Sequence, residues 1–82
     1  MDDATVRAKL IECFSSVFPN LDPSEITAAT VESTSGWDSI AHVTLLTLIG
    51  EEFGISVNFE RFEDAVSFSA IAALVNKSLF IG

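Results

Sequence analysis

Positive charge is scarce in this 82-residue chain, which has four lysines and arginines against twelve acidic residues and a net charge of −8. Such a surface repels the phosphates of nucleic acids and anionic lipids, so we expect neither as a partner. No apolar run approaches the ~18 residues that a membrane-spanning helix needs, so we expect no membrane insertion. The start of the sequence lacks the basic and apolar pattern of a signal peptide, and we expect a soluble cytoplasmic protein.

Cysteine is equally sparse: Cys13 is the only one, which excludes an internal disulfide. Its position on an apolar helix face predicts a small core residue and not a reactive thiol. We expect no metal site, because one histidine and one cysteine do not supply enough ligands. The acidic pairs Glu51-Glu52 and Glu63-Asp64 also lack the spacing of a calcium loop.

Apolar residues, in contrast, make up 49% of the chain and include seven phenylalanines. They predict one globular domain over residues 1–82. Apolar positions at helical spacing predict three main helices over residues 3–18, 39–53 and 68–79, with a short irregular one over residues 60–65. Residues 55–59 alternate as a strand would, but no second strand is predicted, so we interpret them as an extended connector. The expected fold class is an all-α four-helix bundle.

A long loop over residues 19–37 precedes the second main helix. Asp22-Pro23-Ser24-Glu25 predicts a capped single helical turn inside it. Leu21, Ile26 and Val31 are spaced as apolar anchors, and we expect them to pin this loop to the core.

The loop ends at Gly36-Trp37-Asp38-Ser39-Ile40, where small residues give way to a helix. Asp38 is a good N-cap, because its carboxylate can accept hydrogen bonds from the first-turn amides. Ser39 would then begin the helix, with its hydroxyl at the surface beside the positive end of the macrodipole. That setting suits a phosphate ester.

A hydrolase is a competing interpretation, because Ser39 and His42 lie three residues apart on a helix, with Asp38 beside them. No signature of an oxyanion hole accompanies them, and Asp38 is better used as a cap. We therefore interpret His42, the single histidine, as a surface residue of the second main helix.

Several positions together match the pattern of one family. They are Gly36-Trp37-Asp38-Ser39-Ile40, Val43, Leu46, Glu51-Glu52-Phe53-Gly54-Ile55, Ala65 and Ser67. In these residues the chain resembles the acyl carrier protein family, with its peptidyl and polyketide relatives, over essentially its whole length. The resemblance implies the acyl-carrier fold and a 4′-phosphopantetheine arm on Ser39, flanked by Asp38, Ile40 and Gly36, with Ile40 replacing the family's usual leucine. It also implies a non-catalytic monomer served by a phosphopantetheinyl transferase, by an acyl-loading ligase or acyltransferase, and by the synthases or transferases of its pathway.

One departure concerns partner recognition. Carriers of fatty acid synthesis place acidic residues after the serine and midway along the second helix, where this chain has Ala41, His42 and Thr44. Acidic residues remain only at the helix end, as Glu51 and Glu52. Ala41, His42 and Thr44, together with Trp37, predict a neutral recognition face. We therefore expect partners from a specialised pathway, recognised by shape and apolar contacts. The alternative function is an acidic helical interaction domain without a prosthetic group, in which the Gly36–Ile40 stretch is only a helix cap.

Overall fold

The computed structural model describes the backbone of residues 2–81 and the side chains of residues 2–79. Within that part of the chain there are helices and no strand, which confirms the all-α fold class. None of the described helices is long and apolar enough to cross a membrane. The helices are α1 (Asp3–Val17), α2 (Pro23–Thr27), α3 (Ser39–Phe53), α4 (Phe59–Phe62) and α5 (Phe68–Ile81).

Side-chain caps begin the first two helices. Asp2 accepts a hydrogen bond from the Thr5 amide at 2.8 Å and caps α1. Asp22 caps α2 in a reciprocal capping box with Glu25. Hydrogen bonds from the Ser24 hydroxyl and then from the Glu25 amide hold the pKa of Asp22 below its usual value of 3.8. The single turn predicted from the sequence is therefore confirmed as α2.

The short fourth helix begins earlier than the sequence predicted, at Phe59 instead of residue 60, and ends at Phe62 instead of residue 65. The shift has a local cause, because the Asn58 side chain caps the helix by accepting from the amides of Glu60 and Arg61. Residues 55–58 form the extended connector that was expected, with Ile55 and Val57 half-buried.

The core lies between α1, α3 and α5, and α2 closes one side of it. An aromatic cluster fills its centre, where the Phe14 ring lies 5.5 Å from Trp37 and 5.1 Å from Phe68, centroid to centroid. Phe18 packs on the same indole at 5.6 Å. Aromatic pairs at such distances contribute about 0.5–1.5 kcal/mol beyond the area that they bury.

The long loop before α3 is tied to the segment before α5. The Val31 amide donates to the Val66 carbonyl at 2.9 Å, and the Phe68 amide donates to the Ala29 carbonyl at 3.0 Å. Ile26 is buried, while Leu21 and Val31 are half-buried against the core, which confirms the predicted anchors. The loop that leads to Ser39 therefore has backbone and side-chain attachments.

Candidate functional site

A tight turn delivers the chain to the start of α3. The Trp37 amide donates to the Thr34 carbonyl at 3.2 Å, which closes a four-residue turn. Gly36, the third residue of this turn, has a φ of +89°. That value is near the roughly +80° that a type II turn requires at its third position, where glycine is favoured because it has no Cβ.

Asp38 caps α3 as the sequence predicted. Its carboxylate accepts a hydrogen bond from the Ala41 amide at 2.9 Å, and its carbonyl accepts from the His42 amide at 2.8 Å. Ser39 is the first residue of the helix and is exposed. Its hydroxyl therefore lies at the surface, at the positive end of the α3 macrodipole.

Apolar side chains surround this hydroxyl on the outside of the molecule. Ile40 is 79% exposed and Val43 is 50% exposed, although both lie on α3. Phe59 and Val66 are the other large apolar side chains found exposed among residues 2–79. They line a groove of about 560 Å³ that includes Ser39, together with Val43, Val31, Leu46 and the polar edge of Asp38, Glu60 and Glu63. Ile40 is not part of this lining.

Trp37 is buried, so little of its side chain is available for the partner contact that the sequence predicted. Its indole is only 4% exposed and packs in the aromatic cluster of Phe14 and Phe18. One edge of the indole still reaches the groove. Trp37 is therefore a core residue beneath the site.

His42 is also placed differently from the surface position that the sequence suggested. It is half-buried and stacks on Trp37, with ring centroids 6.1 Å apart. Its Nδ1 accepts a hydrogen bond from the Trp37 indole at 3.1 Å, and its Nε2 lies 3.0 Å from the Phe62 carbonyl oxygen. Both ring nitrogens are thus occupied, and His42 has no free nitrogen to act as a base toward Ser39.

The remaining residues predicted to contact partners differ in their exposure and in their position along α3. Ala41 is half-buried, whereas Thr44 is exposed and donates its hydroxyl hydrogen to the Ile40 carbonyl at 3.0 Å. Glu51 and Glu52 are exposed in the last turn, where a Glu52 oxygen lies 3.8 Å from Lys9 Nζ. The helix has 15 residues, so its acidic end lies about 20 Å from Ser39.

The other candidates for chemistry lie away from this site. Cys13 is buried, and its burial, followed by repulsion from Glu52 and Glu12, raises its pKa to about 11. This agrees with the predicted core role. Among the described residues, no three histidine, cysteine or acidic side chains cluster so as to hold a metal ion.

Sequence reasoning missed the far wall of the groove. The sequence placed Phe59 in the extended connector and assigned Val66 to no helix, and no local pattern marks either side chain as exposed. The available signal was their apolar character in segments too short to bury it. Phe59 and Val66 come close to α3 only through tertiary packing, which a local sequence pattern does not show.

Comparison with known proteins identifies the family of the chain. The family model described as "Phosphopantetheine attachment site" matches residues 8–75, most of the chain. Searches of curated proteins and of solved structures return no significant match. Domains of the matched family are in general non-catalytic carriers. The chain therefore belongs to the phosphopantetheine attachment-site family of acyl and peptidyl carrier proteins, whose members carry a covalently attached 4′-phosphopantetheine group.

Proposed function

We propose that this carrier holds acyl intermediates as thioesters on an arm attached to Ser39 and presents them to the enzymes of a specialised biosynthetic pathway. Polyketide, nonribosomal peptide, lipid and cell-surface pathways all belong to this class. The observation that carries the proposal is the exposed Ser39 hydroxyl, which lies at the start of α3 and beside an apolar groove. In this proposal the chain performs no catalysis and works as a cytoplasmic monomer.

The residues at the start of α3 suit a phosphodiester on Ser39. Among the hydrogen bonds of the described residues, Asp38 engages the amides of Ala41 and His42, and those of Ser39 and Ile40 have no acceptor. Free first-turn amides and the helix dipole both stabilise a nearby phosphate. The Asp38 carboxylate opposes that charge in part, although its hydrogen bond to Ala41 directs it along the helix.

When bound, the arm supplies a terminal thiol on which acyl groups form thioesters. The chain's own contribution is the groove beside Ser39, whose walls include Val43, Leu46, Phe59 and Val66. Apolar walls of this kind exclude water from an arm or acyl chain that lies against them. We propose that the groove shelters part of the loaded arm between encounters with partner enzymes.

We propose that partners read the exposed face at the start of α3. The family implies a phosphopantetheinyl transferase and pathway enzymes as partners, and we add a loading ligase or acyltransferase. The first turn of α3 carries no acidic residue, and Ile40, Val43 and Thr44 are exposed within its first two turns. Recognition would then depend on apolar contact and shape, with Glu51 and Glu52 acting only at the far end.

Incubation with a phosphopantetheinyl transferase and coenzyme A, followed by intact mass measurement, tests the attachment. Wild-type protein should gain the mass of one phosphopantetheine group, and Ser39→Ala should gain none. Ser35→Ala is the matched control, because Ser35 is an exposed serine in the same loop. A wild-type chain left unmodified by several transferases would refute the carrier proposal, and modification that persists in Ser39→Ala would refute the site.

Ile40→Ala tests the recognition face. Burial of an isoleucine side chain against a partner is worth about 1.5–3 kcal/mol, so its truncation should lower kcat/KM for modification by roughly 10–150-fold. Thr47→Ala, at another exposed position of α3, is the matched control and should retain the wild-type value. Equal effects of the two substitutions would exclude Ile40 from the contact.

The interaction-domain alternative makes a different prediction. A domain that binds its partner only through the apolar face of α3 would bind equally well with Ser39→Ala and with wild type. A carrier should engage its pathway enzymes productively only after Ser39 is modified. Pull-down and turnover with one candidate partner enzyme, measured on both proteins, separate these functions.

A further inference from the structure

His42 lies between the two walls of the groove and is bonded to both sides. On one side its Nδ1 is 3.1 Å from the indole nitrogen of Trp37, the residue that ends the type II turn before Ser39. On the other side its Nε2 is 3.0 Å from the carbonyl oxygen of Phe62, the last residue of α4. The His42 side chain of α3 therefore connects the loop that precedes Ser39 to α4.

The directions of these bonds follow from their chemistry. An indole nitrogen can only donate, so Nδ1 of His42 is the acceptor and carries no hydrogen. The hydrogen of the neutral imidazole is then on Nε2, where it can be donated to the Phe62 carbonyl. This arrangement uses both ring nitrogens and requires the tautomer with hydrogen on Nε2. The imidazole therefore accepts a hydrogen bond on one side and donates one on the other.

The α4 helix has few other attachments that fix its position. It has only four residues, and a helix of one turn is not stable in isolation. Its main described packing is against α3, through the buried Phe62, while Phe59 remains half-exposed on the groove wall. Burial of the Phe62 ring anchors this end of α4, and the hydrogen bond from His42 adds a directional attachment at the backbone of the same residue.

We propose that His42 is a positioning residue that fixes α4 relative to the loop preceding Ser39 and so sets the shape of the groove. This assigns to His42 a role inside the domain, in place of direct contact with partners. The use of the groove by the arm rests on the proposed function. The hydrogen-bonded bridge itself is a property of the unmodified chain and can be tested there.

Amide hydrogen exchange by NMR provides the test, because it resolves the two ends of the bridge. His42→Leu removes both bonds. His42→Asn places an acceptor near the Nδ1 position and keeps the Trp37 bond, whereas His42→Gln places a donor near the Nε2 position and keeps the Phe62 bond. Trp37→Phe is the matched control for the first bond, because it removes the indole N–H and retains an aromatic ring in the core.

The expected result is local and graded. His42→Leu should accelerate exchange of the Ala65 amide, which donates to the Phe62 carbonyl, by about 5–10-fold, as expected from the loss of one net hydrogen bond. His42→Gln should restore its protection, and His42→Asn should restore instead the slow exchange of the Trp37 indole N–H. The buried Ile49 amide, in the middle of α3, should keep its wild-type rate in the Asn and Gln variants. The imidazole ¹⁵N shifts of the wild type should report the tautomer protonated at Nε2.

Two outcomes would overturn the proposal. Unchanged exchange at Ala65 in both the Leu and Asn variants would mean that α4 does not depend on His42. Equal acceleration at Ala65 and Ile49 in the Asn and Gln variants would mean that His42 only adds global stability. If the Leu variant fails to fold, the Asn and Gln variants still provide the test. Modification of Ser39 is measured separately on the same proteins, so an unmodified wild type would refute the carrier function without altering the exchange result.

Discussion

Gly36→Ala tests whether the turn before Ser39 needs glycine for its backbone conformation. Gly36 has a φ of +89°, and a Cβ built there would contact no other atom within 4 Å. The substitution therefore introduces backbone strain without a steric clash. If the type II turn positions Ser39, its distortion should affect both the stability of the domain and the modification of the serine.

The magnitude follows from two opposing effects. An alanine held at positive φ costs roughly 1–2 kcal/mol in the folded state. Replacing glycine also reduces the freedom of the unfolded chain, which returns about 0.4–1 kcal/mol. The net loss should be about 1 kcal/mol in the free energy of unfolding. For a domain of this size, that lowers Tm by about 4–8 °C.

Urea unfolding followed by the fluorescence of Trp37, the single tryptophan, measures this loss directly. Gly54→Ala is the matched control, since Gly54 also has a positive φ, +64°, and open space around its Cβ position. It lies at the other end of α3. Both variants should lose similar stability, but only Gly36→Ala should slow modification of Ser39.

Gly36→Asn separates conformation from access to the serine. Asparagine tolerates positive φ better than alanine does, so it should recover most of the stability. If it also recovers the rate of modification, the glycine is needed for the turn; if the rate stays low, the glycine is needed so that the transferase can approach. A Gly36→Ala protein as stable as wild type would refute the turn argument, as would equal slowing by Gly54→Ala.

Three further predictions concern the whole domain. The lowered pKa of Asp22 gives stability that is fully present above pH 3.8 and is lost as the pH falls through the folded-state pKa. Asp22→Asn keeps a capping side chain but cannot titrate, so it should flatten the dependence of the free energy of unfolding on acid pH. Because the pKa of Cys13 is about 11 instead of 9.0, its native thiolate at pH 8 should be roughly a hundred-fold scarcer, and a disulfide reagent should modify it quickly only in urea. Added salt should raise Tm by screening the net charge of −8, and a Tm indifferent to salt would show that the charges are already well separated.

The sequence predicted the helices well because their signals are local. The apolar spacing of α1, the cap at Asp38 and the cap at Ser67, whose hydroxyl accepts from the Ala70 amide at 3.1 Å, are each read within a few residues. The end of α3 at Gly54, with its left-handed backbone, is equally local. These features were sufficient to place Ser39 at the start of a helix.

The surroundings of Ser39 were less predictable, because they depend on contacts between distant segments. The partner of the His42 Nε2 is Phe62, which lies 20 residues away along the chain. Trp37 follows a polar loop, and only the turn geometry decides whether its indole enters the core or faces solvent. Both residues were therefore expected at the surface, and both help to build the interior beneath the groove.

The apolar residues exposed at the start of α3 are not required for packing of the core. Ile40, at 79% exposure, contributes little to the core, and the inward-facing Leu45, Leu46 and Ile49 already anchor the helix. A polar residue at position 40 would therefore satisfy the fold as well as isoleucine does. Exposed apolar area without a structural role is typical of a binding surface, so we propose that Ile40 and Val43 contact a partner. Ile40 adjoins Ser39 in the helix, so a partner that covers this apolar face would also control access to the proposed attachment site.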